Sequence, residues 1–119
     1  MGGISVLTTV GTEQEANLLA EELIGRRHAA CVNIISGVRS LYRWRGSICK
    51  DSEYLLIIKT LEEEYDLVAE TIRELHSYDL PEVLSFPMND GDADFLGWIG
   101  ACLDKDAEFD EDDEDDEAE

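Results

Sequence analysis

Hydrophobic and polar positions recur with two different periods along this chain, and the switches between them mark its elements. Ile4-Ser5-Val6-Leu7-Thr8-Thr9-Val10 is rich in β-branched residues and predicts a short strand, which Gly11 ends. Thr12 and Glu15 follow with the Thr-x-x-Glu spacing of a capping box, which satisfies free backbone N–H groups at a helix start. Behind it Ala16, Leu19, Ala20, Leu23 and Ile24 recur at helical spacing and form one apolar stripe. Arg26, Arg27 and His28 come where positive charge complements a helix C-terminus.

From Ala30 to Trp44 the pattern returns to strand, with Gly37 inside it as the mark of a bulge or bend. Arg45-Gly46-Ser47 reads as a turn, and Ile48 to Thr60 as a second long strand ending in Tyr-Leu-Leu-Ile-Ile-Lys-Thr. That continuous apolar run predicts a central strand covered on both faces. The two arms exceed the usual strand length of about 5–6 residues. A hairpin of that reach projects beyond a small domain and needs something to cover it.

Thr60 with Glu63 repeats the capping-box spacing, and Leu67, Val68, Ile72 and Leu75 mark the inner face of a second helix. Pro81 stops any continuation. Val83 to Met88 predicts a last short strand, with Pro87 suited to an edge. Asn89 to Asp92 is a turn and helix cap before Phe95, Trp98, Ile99 and Cys102. The order is βαββαβ plus a short C-terminal helix, an α+β ferredoxin-like sandwich with a long hairpin between its second and third strands.

Composition adds a boundary. The chain has 119 residues and a net charge of −20, and residues 104–119 carry twelve acids against one Lys. Like charges with only Phe109 for apolar area predict a disordered acidic tail over 104–119, leaving one domain over 1–103. The domain is itself acidic, and the whole chain has only three Lys. Phosphate backbones and anionic membranes would be repelled, so neither nucleic acid nor membrane is an expected partner. An acidic, Lys-poor surface of this halophile-like kind suits a salty cytoplasm, where screening removes the repulsion. No apolar run approaches the ~20 residues of a membrane span. The start MGGISVLTTV lacks the basic region of a secretory leader, so the cytoplasm is the expected location. Cys31, Cys49 and Cys102 show no CxxC spacing and predict neither a disulfide scaffold nor a zinc site.

Candidate chemistry is sparse. There is no phosphate-binding glycine loop, HExxH, nucleophile elbow or two-His pair, and the sequence does not read as an enzyme. His76 heads the segment His76-Ser77-Tyr78-Asp79-Leu80-Pro81-Glu82 and is either a metal ligand or a helix-end cap. Lys59 ends an apolar strand; it either reaches solvent or pairs with a carboxylate, for which Glu82 is the candidate. Tyr42, Arg43 and Trp44 on the projecting arm are residue types enriched in buried protein interfaces.

Five motifs in order carry a resemblance. Ala30-Cys31-Val32-Asn33-Ile34, Ser40-Leu41-Tyr42-Arg43-Trp44, Leu56-Ile57-Ile58-Lys59-Thr60, the His76 to Glu82 segment and Phe95-Leu96-Gly97-Trp98-Ile99 resemble the CutA divalent-cation-tolerance family over residues 4–102. The resemblance implies a PII-like homotrimer with hairpins carried across subunit boundaries. It implies a non-enzymatic role in copper or other divalent-cation tolerance, with no required cofactor. A ligand or metal would bind between subunits near Lys59, His76, Tyr78, Glu82 and Trp98. In copper-binding members a first-strand Cys and two adjacent His are the ligands; here those positions read Thr8 and Leu75-His76, so only His76 carries over. The alternative is a PII-like signalling or structural trimer whose acidic tail engages a partner.

Overall fold

The computed structural model describes residues 2–105. The elements run β1 (Gly3–Val10), α1 (Glu13–Gly25), β2 (Cys31–Trp44), β3 (Ser47–Leu61), a 3-10 turn (Glu62–Glu64), α2 (Tyr65–Leu75), β4 (Leu84–Pro87) and α3 (Ala93–Cys102). All four strands form one antiparallel sheet in the order β2-β3-β1-β4, the ferredoxin-like arrangement. The expected acidic tail falls almost wholly on residues 106–119, outside the described residues.

The core lies between one face of the sheet and two helices. Ile4, Val6 and Val10 of β1 and Leu56 and Ile58 of β3 point to it, where Leu19 and Leu23 of α1 and Val68 and Ile72 of α2 meet them. Full burial of such a side chain stabilises by about 1.5–3 kcal/mol. The Thr12 hydroxyl accepts the Glu15 N–H at 3.1 Å, as the first capping box predicts. Arg26 ties the end of α1 to Glu22 (2.9 Å) and to Glu74 of α2 (3.1 Å). Ile24, expected on the inner stripe, faces outward.

The second capping box does not form. Thr60 stays in β3 opposite Ile4, and its buried hydroxyl donates to the His28 carbonyl at 2.6 Å, so it has nothing left for a helix start. A 3-10 turn leads into α2 instead, with Glu64 at its cap and no side-chain cap bond. The helix rotates so that Val68, Ala69, Thr71 and Ile72 are buried, while Leu67 is exposed. β4 is shorter than expected, at Leu84–Pro87, and Glu82 therefore lies in the segment before the strand.

The hairpin matches its sequence closely. The register between β2 and β3 shifts between Ile35 and Val38, where Gly37 adopts φ 75°. Arg45 (φ 52°) and Gly46 (φ 82°) close a two-residue turn between the paired Trp44 and Ser47, with both positive φ angles that a type I′ turn needs. β1 pairs with β3 only from Tyr54 to Leu61, so Ser47–Glu53 and their β2 partners form a two-stranded ribbon. Such a ribbon is marginal alone in water.

β3 is central, as expected, but helices α1 and α2 cover only one of its faces. Leu55 and Ile57 share the other face with Leu7 of β1 and are half-buried. By register Ile35 and Leu84 extend that row, and both are exposed in the single chain.

Candidate functional site

The His76-to-Glu82 segment is held over the end of β1 by a short chain of hydrogen bonds. His76 closes α2 in an extended conformation, and its ring is buried. The Tyr78 backbone N–H can only donate, so Nδ1 accepts it at 3.1 Å, and Nε2–H donates to the Thr9 carbonyl at 2.7 Å. From the first turn of α1, Glu15 accepts the Ser77 backbone N–H at 2.7 Å and the Ser77 hydroxyl at 3.1 Å. Both ring nitrogens of His76 are thus engaged in shaping the turn, and a metal at either one would break a bond that holds it.

This turn delivers the Tyr78 hydroxyl to Glu53 Oε2 at 2.7 Å. Gly11 leaves room for the crossing: a Cβ there would stand 3.3 Å from the Tyr78 hydroxyl oxygen, a tight contact. Glu53 belongs to the same face of β3 as Leu55 and Ile57 and is only 5% exposed. A second phenol–carboxylate pair, Tyr42 to Asp51, lies on the ribbon beside it. Together they line a cavity of about 880 Å³ between the hairpin and the 78–82 segment.

Acids crowd this cleft. Asp51, Glu53, Asp79 and Glu82 line it together with Arg39 and Arg45, and among the described residues none of the four acids is in an ion pair. Loss of water, and then the charge of Glu53, raise Glu82 above the usual carboxylate range. Burial first and the Glu53 bond second raise the Tyr78 phenol. The bond to Asp51 pushes Tyr42 up to about 12, with loss of water a smaller cause. Both phenols therefore stay neutral and donate at ordinary pH.

Lys59 and Trp98 stand elsewhere. Lys59 is six positions beyond Glu53 on β3, about 20 Å away at ~3.3 Å per residue. Its ammonium lies 5.7 Å from the centre of the Phe95 ring, and Phe95 in turn packs on Trp98 at 5.6 Å. Of the two expectations for Lys59, pairing with Glu82 does not occur: among the described residues the two form no ion pair, Lys59 lies beside Phe95, and Glu82 lines the cleft with Glu53. Tyr78 and Glu82 share the cleft, joined by Tyr42 and Trp44 from the hairpin; Arg43 is not in its lining. Thr8 points into the covered core, away from the cleft, and its buried hydroxyl lacks a hydrogen-bond partner. Among the described residues no group of three or more His, Cys, Asp and Glu is placed to hold a metal ion.

Sequence reasoning missed Glu53 and Asp51. The available signal was spacing: Glu53 shares the parity of Leu55 and Ile57 in β3, so an acid falls on the face that carries the apolar row.

Comparison with known proteins places the chain in a family. The family described as CutA1 divalent ion tolerance protein matches residues 4–102. A divalent-cation tolerance protein CutA of Thermus thermophilus is 39% identical over 94 residues, covering 79% of this chain and 91% of that protein. A chloroplastic CutA 1 of Oryza sativa is 41% identical over 96 residues, covering 81% of this chain; the match spans 54% of that longer relative. The crystal structure of CutA1 from Oryza sativa superposes with a TM-score of 0.85 at 37% identity, covering 88% of this chain and 96% of that one. A periplasmic divalent cation tolerance protein CutA from Archaeoglobus fulgidus gives 0.84 at 30% identity, with 86% and 99% covered. On sequence and on fold alike, the chain belongs to the CutA1 divalent ion tolerance family.

Proposed function

We propose that this chain works as a homotrimeric, non-enzymatic protein of divalent-cation tolerance, binding a cation or a small cationic ligand in clefts bordered by neighbouring subunits. The observation that carries this reading is the cleft of Glu53, Tyr78 and Glu82, where four acids outnumber Arg39 and Arg45 in the lining and none of the acids is in an ion pair among the described residues. Assembly is supported by the uncovered sheet face and by a ribbon that exposes Leu41, Tyr42, Trp44 and Ile48. A second copy laid on these surfaces would remove apolar area from water and wall the cleft further.

Light scattering on the full chain at micromolar concentration should give three copies, and a monomer would remove the assembly. Titration with Cu²⁺ then separates the two candidate ligand groups. Saturable heat that is lost in Glu53→Gln and retained in His76→Ala supports the cleft. Heat lost only in His76→Ala would return the metal to the histidine and overturn the cleft as its site.

A further inference from the structure

The Glu53 carboxylate is the least comfortable group in the cleft. It is 5% exposed, accepts one hydrogen bond from a neutral phenol, and has no cation within ion-pair distance among the described residues. A buried carboxylate in that state is costly unless a positive charge joins it. Oε2 takes the Tyr78 hydroxyl, which leaves Oε1 with lone pairs for an incoming donor.

Three features decide what kind of cation fits. The cavity of about 880 Å³ lies in the range of organic-ligand pockets, about 300–1,000 Å³, and far exceeds a bare ion. Its walls include the rings of Tyr42 and Tyr78 and the side chains of Leu41 and Leu80, which suit a hydrocarbon body and the ring-face attraction felt by ammonium groups; Arg39 and Arg45 also line it, but the four acids leave the lining net negative. The acids are held apart by their phenol partners: Tyr78 keeps one oxygen of Glu53, and Tyr42 keeps one of Asp51. A small divalent ion needs several oxygens converging at about 2.0–2.6 Å, whereas an ammonium needs hydrogen-bond acceptors at ordinary distance.

We propose that the Glu53–Glu82 cleft takes an organic ammonium ligand, an alkylamine or polyamine, whose charged nitrogen sits on these carboxylates and whose carbon chain lies along Tyr42, Tyr78 and Leu80. This rests on the cleft being the ligand site. It adds the chemical class of that ligand, and with it a role for the aromatic walls that a metal would not use.

Spermidine is the probe, titrated calorimetrically into the full chain at high ionic strength, with Cu²⁺ titrated in parallel. The variants are Glu53→Gln, which keeps an acceptor for Tyr78, and Glu82→Gln, at an exposed residue where folding is least at risk; circular dichroism checks both. Saturable spermidine binding that weakens about tenfold or more in either variant supports the proposal, about 1.4 kcal/mol at that ratio. Equal binding in wild type and both variants overturns it, because attraction to the overall negative charge is then sufficient. Carboxylate-dependent Cu²⁺ binding without spermidine binding overturns the ammonium and leaves the cleft standing. Carboxylate-dependent binding of neither overturns the ammonium and the cleft reading together.

Discussion

On one face of the sheet Ile4, Val6, Leu56 and Ile58 are sealed under two helices, whereas on the other Leu7, Leu55 and Ile57, their neighbours in sequence, remain half-open. The residue types are the same. What differs is whether this chain supplies a cover. Helices α1 and α2 both lie against the first face, because each follows its strand through a crossover back onto the sheet. The second face receives no such layer along its apolar row. Acids and aromatics occur at its margins, with Glu53 and Tyr78 toward one end and Lys59 with Phe95 toward the other. A covered face carries stability; an uncovered one with polar ends is available for assembly and binding.

The strongest way to test that contrast is on the covered side. Leu56→Ala should lower stability by about 2–5 kcal/mol through lost burial and a residual cavity. Urea denaturation reads it, and the loss should not depend on protein concentration. A loss below about 1 kcal/mol would mean that the helices do not seal this face.

On the ribbon, Tyr42→Ala combined with Trp44→Ala should dissociate the proposed trimer. Truncated aromatic anchors at the centre of an interface commonly cost about 2 kcal/mol or more each. Light scattering across a dilution series measures it, and an unchanged mass would place the contact elsewhere.

Thr8→Val tests a flaw inside the sealed face. The buried Thr8 hydroxyl has no partner, and a side chain of the same shape without it should stabilise by about 1 kcal/mol. Unchanged thermal stability would show that the hydroxyl is satisfied in solution.

The smallest expected effect belongs to Glu82. Partial loss of water and the charge of Glu53 raise its pKa in the folded protein, so between the ordinary glutamate value and the raised one the folded state holds more proton than the unfolded state. Stability from this group is therefore fully present below the unfolded value and lost as pH rises through the folded one. Glu82→Gln should flatten the acid-side stability curve in that window, read by melting across pH. An identical curve would remove Glu82 from the acidic pair.

Much of this was legible in one dimension. The Thr12 half of the first capping box, the bulge at Gly37 and the turn at Arg45-Gly46 are local features, decided by residues a few positions apart, and they formed where the pattern placed them, while the Glu15 carboxylate turned to Ser77 instead. Thr60 shows the limit: the same local spacing failed because a strand partner and the distant His28 carbonyl claimed the residue first. The site was harder still. Tyr78 and Glu82 were visible as a motif, yet Glu53, the group that organises the cleft, lies 25 positions before Tyr78 and resembles any acid along a half-exposed hairpin strand.

The sequence by itself determined the order of elements, the long hairpin and the family, because periodicity, turn chemistry and motif order are properties of neighbouring residues. Only the tertiary structure decided that His76 is spent on shaping a turn, that Lys59 and Glu82 are apart, and that Glu53 meets Tyr78. Those outcomes depend on strand register and on which face each side chain takes, and a shift of one residue would reverse them.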